Sequence, residues 1–138
     1  MTFFSPQKIL TGLLLWLSLH TANAQTPEAS LPQGQVFFYY HAAELNQKSR
    51  ETLEEWARFL LAKPAVQLQV KGHSCATAKN PAELALARAQ AVADFLQNKG
   101  VSGHRLLIEG LGASQPALAG PTEFAHIKNR RVILSLSE

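Results

Sequence analysis

From residue 35 to residue 136 the apolar spacing switches between a period of two and a period near 3.6, and few folds tolerate that alternation. Gln35-Val-Phe-Phe-Tyr-Tyr40 is β-branched and aromatic, too short for a helix, and reads as a first strand. Asn46 suits a helix cap, after which Leu53, Trp56, Ala57, Leu60 and Leu61 recur on one helical face until Pro64 prevents continuation. Val66, Leu68 and Val70 alternate with Gln67, Gln69 and Lys71, the pattern of a strand with one wetter side. A loop from Gly72 to Asn80 leads to Pro81, well placed at a helix start. Ala85, Ala89, Val92 and Leu96 form the stripe of that second helix, flanked by Leu84 and Phe95, and Gly100 supplies a left-handed stop. Leu106 to Glu109 reads as a third strand, Gly110 to Thr122 as a loop, and Val132, Leu134 and Leu136 as the alternating face of a last strand. The predicted order is β-α-β-α-β-β, with a long connection before the final strand. Each helix carries one broad apolar stripe, so the economical arrangement is a two-layer α/β (α+β) sandwich with the helices on one sheet face. Periodicity leaves the strand order open.

The amino end is of a different kind. Lys8 is the one charge ahead of Ile9 to Leu19, an uncharged apolar run the length of a signal-peptide core. That run falls well short of the roughly 20 residues a membrane-spanning helix needs. Ala22-Asn23-Ala24 then supplies the small-x-small pattern of a cleavage site, so residues 1–24 read as a signal peptide removed after Ala24. Residues 25–34, with Pro27, Pro32 and Gly34, read as a flexible lead-in, and residues 35–138 as one domain. No cysteine stands directly after the apolar run, so neither a lipid anchor nor a transmembrane segment is expected in the mature chain. Losing Lys8 lowers the formal net charge from +3 to +2, too little and too dispersed for a nucleic-acid partner. Cys75 is the lone cysteine, so no internal disulfide is available and packing alone must hold this small domain together.

Five segments carry a further signal. Phe38-Tyr-Tyr-His-Ala-Ala-Glu-Leu45, Val70-Lys-Gly-His-Ser-Cys75, Leu84-Ala-Leu-Ala-Arg-Ala-Gln-Ala-Val92, Gly110-Leu-Gly-Ala-Ser-Gln-Pro116 and Asn129-Arg-Arg-Val132 follow one another at compatible spacings. Together they resemble the F-D-F-D-S-A-E-L, V-x-G-H-T-D, L-S-x-x-R-A-x-A-V, G-x-G-E-x-x-P and N-R-R-V motifs of the OmpA-like carboxy-terminal domain shared by OmpA, Pal and MotB proteins. The resemblance covers the whole domain. It implies a mixed four-stranded sheet with helices packed on one face, a periplasmic, outer-membrane-associated place in the cell envelope, and peptidoglycan binding without catalysis.

The resemblance also implies a ligand, the diaminopimelate of the peptidoglycan stem peptide, whose free end carries one ammonium and one carboxylate. An arginine fork suits the carboxylate and an acceptor carboxylate suits the ammonium. By resemblance, Arg88 and Arg130 take the carboxylate side, with Asn129 beside them in N-R-R-V. His41 and Cys75 stand where the two ammonium-binding aspartates belong. Pro81 holds the helix-entry asparagine position, with Asn80 next to it, and the loop from Cys75 to Arg88 is about two residues shorter than the resemblance implies. Asp94, the single aspartate, lies too far along the second helix to stand in.

The expected function is therefore weak or modified peptidoglycan binding through a degenerate site of Arg88, Arg130, Cys75, His41 and Asn129. The alternative is a protein–protein interaction module of the envelope that has lost the wall ligand. Cys75 is expected near Arg88, where positive charge favours a reactive thiolate. His41 and Cys75 are at most two ligands without His-x-Glu or Cys-x-x-Cys spacing, so neither a metal site nor a cofactor is expected. No nucleophile-base-orienter set can be assembled, so no enzyme is expected.

Overall fold

Strand β1 (Gln35–Phe37), helix α1 (Gln47–Ala62), strand β2 (Leu68–Gly72), helix α2 (Pro81–Asn98), strand β3 (Leu106–Gly110), helix α3 (Glu123–Asn129) and strand β4 (Arg131–Leu136) follow in that order, with a single 3-10 turn over Gly103–Arg105. They occupy residues 30–137, the part of the chain described by the computed structural model. The expected signal peptide, residues 1–24, and the first half of the lead-in lie outside the described residues.

The sheet order is β1-β4-β2-β3. Strands β2 and β3 run parallel, joined through α2, while β4 runs antiparallel to both β1 and β2. This is the mixed four-stranded sheet the resemblance implies. Register sets Leu68 and Val70 between Leu106 and Ile108 on one side and Leu136 and Leu134 on the other, with Val36 opposite Val132. Those alternate residues form one apolar face, and it is buried against Leu53, Trp56 and Leu60 of α1 and Ala89, Val92 and Leu96 of α2. The opposite face shows Gln69, Lys71, Leu107, Glu109 and Ser135, none of them buried. A period of two with one wet side is what a sheet covered on a single face requires.

Glycine brings α2 close to the sheet. A Cβ at Gly72 would stand 1.9 Å from the carbonyl oxygen of Ala85, so only glycine admits the helix at this depth. Helix α1 is fixed at both ends by side chains. At its start the Asn46 Oδ1 accepts from the Ser49 N–H at 2.9 Å, while Asn46 Nδ2 and Ser49 Oγ both donate to the Phe37 carbonyl at 3.1 Å. At its end the buried Arg105 donates to the carbonyls of Leu60, Lys63 and Val66 at 2.7–2.9 Å, tying the last turn of α1 to the segment that follows it.

Several boundaries differ from the sequence reading. Strand β1 ends at Phe37 instead of Tyr40 because the chain turns: the Ala42 N–H donates to the Tyr39 carbonyl and His41 takes φ +51°. Tyr39 and Tyr40 are consequently exposed. Strand β2 starts at Leu68, since the Val66 N–H is held in a turn by the Lys63 carbonyl. On α1, Leu61 faces solvent and Phe59 is buried instead, packed edge-on against Trp56. The α1 face is rotated because the chain before β1 lies along that side, with the Trp56 indole N–H donating to the Gln33 carbonyl at 2.9 Å. Helix α3 was not expected. Thr122 caps it, accepting from the Ala125 N–H at 3.1 Å, and its inward residues are Ala125 and Asn129 while Phe124 and Ile127 point outward.

Candidate ligand-binding site

Two arginines from different elements converge on the segment after β1. Arg88, midway along α2, is 0 % exposed. Its Nε donates to the Ala42 carbonyl at 2.8 Å, Nη1 to that of His73 at 3.0 Å and Nη2 to that of Tyr39 at 3.2 Å. The guanidinium also lies 5.4 Å from the Phe38 ring centroid. One side chain thus ties α2 to the turn after β1 and to the end of β2. Burial pulls its pKa down from the ordinary arginine range to about 10; Cys75 opposes that shift and Arg130 adds to it. Arg88 therefore stays charged at neutral pH.

Arg130 closes α3 and precedes β4. Its Nε donates to the Phe38 carbonyl at 3.3 Å, so the two arginines hold the carbonyls of consecutive residues, Phe38 and Tyr39. Its Nη1 donates to Glu123 Oε1 at 3.0 Å, and the guanidinium lies 5.8 Å from the Tyr40 ring centroid. The Arg130 side chain is 7 % exposed and that of Glu123 67 %. The second Glu123 oxygen lies 3.6 Å from His126 Nδ1.

The other expected site residues are placed unequally. His41 is exposed on the turn that both arginines grip, its ring 3.9 Å from that of Tyr40. Cys75 is 3 % exposed with Sγ 3.3 Å from Thr77 Oγ1, so the accessible thiol expected near Arg88 is absent and the sulfur is packed into the loop. Asn129 is committed to structure: Oδ1 accepts from the Ala117 and Leu118 N–H groups at 2.7 and 3.2 Å, and Nδ2 donates to the Leu118 carbonyl at 2.8 Å. The sequence reading missed Glu123. The available signal was Thr122-Glu123, a helix cap followed by an acid one helical span before Arg130.

A second polar pair lies at the end of β2. His73 is buried with neither ring nitrogen bonded to protein, and Arg131 is buried with Nη1 likewise unpartnered. Burial, then Arg131, then Lys71 push the His73 pKa down to about 4, so the ring is neutral at pH 7. Among the described residues no three His, Cys, Asp or Glu side chains are grouped to hold a metal ion, and no helix is long and apolar enough to cross a membrane.

The chain is similar to known proteins. The OmpA family model matches residues 37–130, from the end of β1 to the arginine that grips it. The chain belongs to the OmpA family. It is 31 % identical over 102 residues to the peptidoglycan-associated lipoprotein of Haemophilus influenzae, covering 72 % of this chain and 67 % of that protein. It is 28 % identical over 101 residues to the peptidoglycan-associated lipoprotein of Buchnera aphidicola, covering 72 % of this chain and 58 % of that one. The peptidoglycan-binding protein ArfA of Mycobacterium tuberculosis is 30 % identical over 113 residues, 80 % of this chain but 35 % of that protein. The OmpA-family chain thus matches only part of the length of these relatives. Its fold is that of the peptidoglycan-associated lipoprotein from Burkholderia pseudomallei, with TM-score 0.73 at 22 % identity over 76 % of this chain and 91 % of that one. The carboxy-terminal domain of Helicobacter pylori MotB shares it at TM-score 0.71 and 24 % identity, over 77 % and 85 % of the two chains.

Proposed function

We propose that this OmpA-family chain is a non-catalytic periplasmic protein of the cell envelope that binds the diaminopimelate end of peptidoglycan stem peptides weakly. On this reading it is exported by cleavage after Ala24. The observation that supports it most is the convergence of Arg88 and Arg130 on the turn from Phe38 to Ala42, in a family whose relatives include proteins named for peptidoglycan. Arg130 is the outer member of the pair, Arg88 backs it, and His41 stands exposed on the turn they grip, while Cys75 is packed into its loop and Asn129 holds Ala117 and Leu118. His41 and Cys75 bring no carboxylate. Losing a partner of a desolvated charge typically costs a few kcal/mol, enough to move a micromolar ligand to the millimolar range.

Co-sedimentation of the mature protein with insoluble sacculi tests this reading. Partial retention is expected, falling as salt is raised. His41→Asp with Cys75→Asp should tighten binding of a diaminopimelate stem peptide by about a hundredfold, since each charge-assisted contact contributes about 1.5–3 kcal/mol. Arg130→Ala in that background should abolish the gain. No retention by sacculi, and no gain in a folded double variant, would sink the reading. A protein–protein module of the envelope would then be favoured, because both guanidiniums already hold protein acceptors.

A further inference from the structure

Arg130 lies almost wholly beneath the surface, while the carboxylate that meets it stands out in solvent. Glu123 is the one carboxylate paired with Arg130 among the described residues, and its second oxygen makes no hydrogen bond to protein, lying 3.6 Å from His126 Nδ1. The pair therefore presents a cation and an anion 3.0 Å apart at the edge of the turn that Arg88 also grips. An amino-acid end carries ammonium and carboxylate on a single carbon, and ordinary bond lengths set those charges about 3 Å apart. Laid across the pair, such an end meets the opposite charge at each of its own groups. The exposed Tyr40 ring beside Arg130 offers an apolar wall for the methylenes that follow.

We propose that Glu123 is the ammonium acceptor of this site, taking the part that no carboxylate at position 41 or 75 can play. This rests on the peptidoglycan reading and changes what the site is made of. Helix α3 becomes a component of it, supplying Glu123 at its first residue and Arg130 just past its last. The competing role for the same residue is a lid, in which Glu123 neutralises Arg130 and keeps ligand carboxylates out. The two roles predict opposite signs.

The test is NMR titration, carried to high millimolar ligand, of wild type, Glu123→Gln and Glu123→Asp. Three soluble stem peptides serve as probes: one with the free diaminopimelate end, one acetylated on its amine and one amidated on its carboxylate. Glutamine keeps one oxygen for Arg130 and puts an N–H donor in place of the other, so both the charge and the second acceptor are lost. Glu123→Gln should weaken the free and the amidated peptides at least tenfold and leave the acetylated peptide unchanged. Glu123→Asp should retain most of the affinity. Unchanged or tighter binding by Glu123→Gln, with wild type still bound to sacculi, overturns the role of Glu123 and leaves the peptidoglycan reading standing. Wild type that binds neither sacculi nor the free peptide overturns both.

Discussion

His73 is 2 % exposed, has no protein partner on either ring nitrogen, and sits near Arg131 and Lys71. Its folded pKa of about 4 lies below the ordinary 6.5, so on acidification the unfolded chain takes up the proton first. The His73 contribution to stability is therefore intact above about pH 6.5 and lost as the pH falls toward 4, a distance worth up to about 3 kcal/mol. Urea unfolding of wild type and His73→Phe at pH 7.5 and pH 4.5 checks this. The variant should lose less stability across that window, and parallel losses would count against the assignment. Other residues were legible to differing depths. Position along α2 placed Arg88 beside the apolar stripe, but periodicity carries no information about the turn that roofs it. Cys75 was misjudged for the same reason: local charge favours reactivity, while the packing that hides the sulfur comes from the tertiary fold. Asn129 reads as a site residue by motif and acts as a clamp on Ala117 and Leu118 by geometry.

At the scale of elements, α1 and α2 declared themselves because each buries a long apolar stripe against one surface. Helix α3 did not, because its seven residues turn an alanine and an asparagine inward and leave the large apolar side chains outside. An apolar-periodicity reading looks for the reverse. Strands β1 and β2 differ from their reading by a few residues, since turn hydrogen bonds at Ala42 and Val66, not side-chain pattern, end and begin them. The contact between α2 and β2 offers a direct trial. Gly72→Ala puts a methyl into the Ala85 carbonyl, and α2 can yield only by lifting off the core it shares with α1. Overpacking of this severity should cost at least about 3 kcal/mol. The urea midpoint reports it, and a loss below about 1 kcal/mol would show that the helix yields easily.

At the scale of the whole molecule, the proposed export has a direct check. Mass spectrometry of the protein recovered from a periplasmic fraction should find a chain beginning at Gln25. A chain with Met1 intact would overturn the signal-peptide reading. The sequence by itself determined the two-layer fold class, the two long helices and the family, because burying an apolar face demands a period and the motifs lie in order along one strand of text. It also determined that arginines stand at positions 88 and 130 and no carboxylate at 41 or 75, since residue identity alone decides charge. Only the tertiary structure decided the strand order, the depth of Arg88, the burial of Cys75 and the meeting of Glu123 with Arg130. The physical reason is that periodicity reports which side of an element is buried and says nothing of what it is buried against. Hydrogen bonds such as those from Arg88 to Ala42, Tyr39 and His73 join residues 15 to 49 positions apart. No local pattern encodes them, and they come into being only when the helices have packed on the sheet.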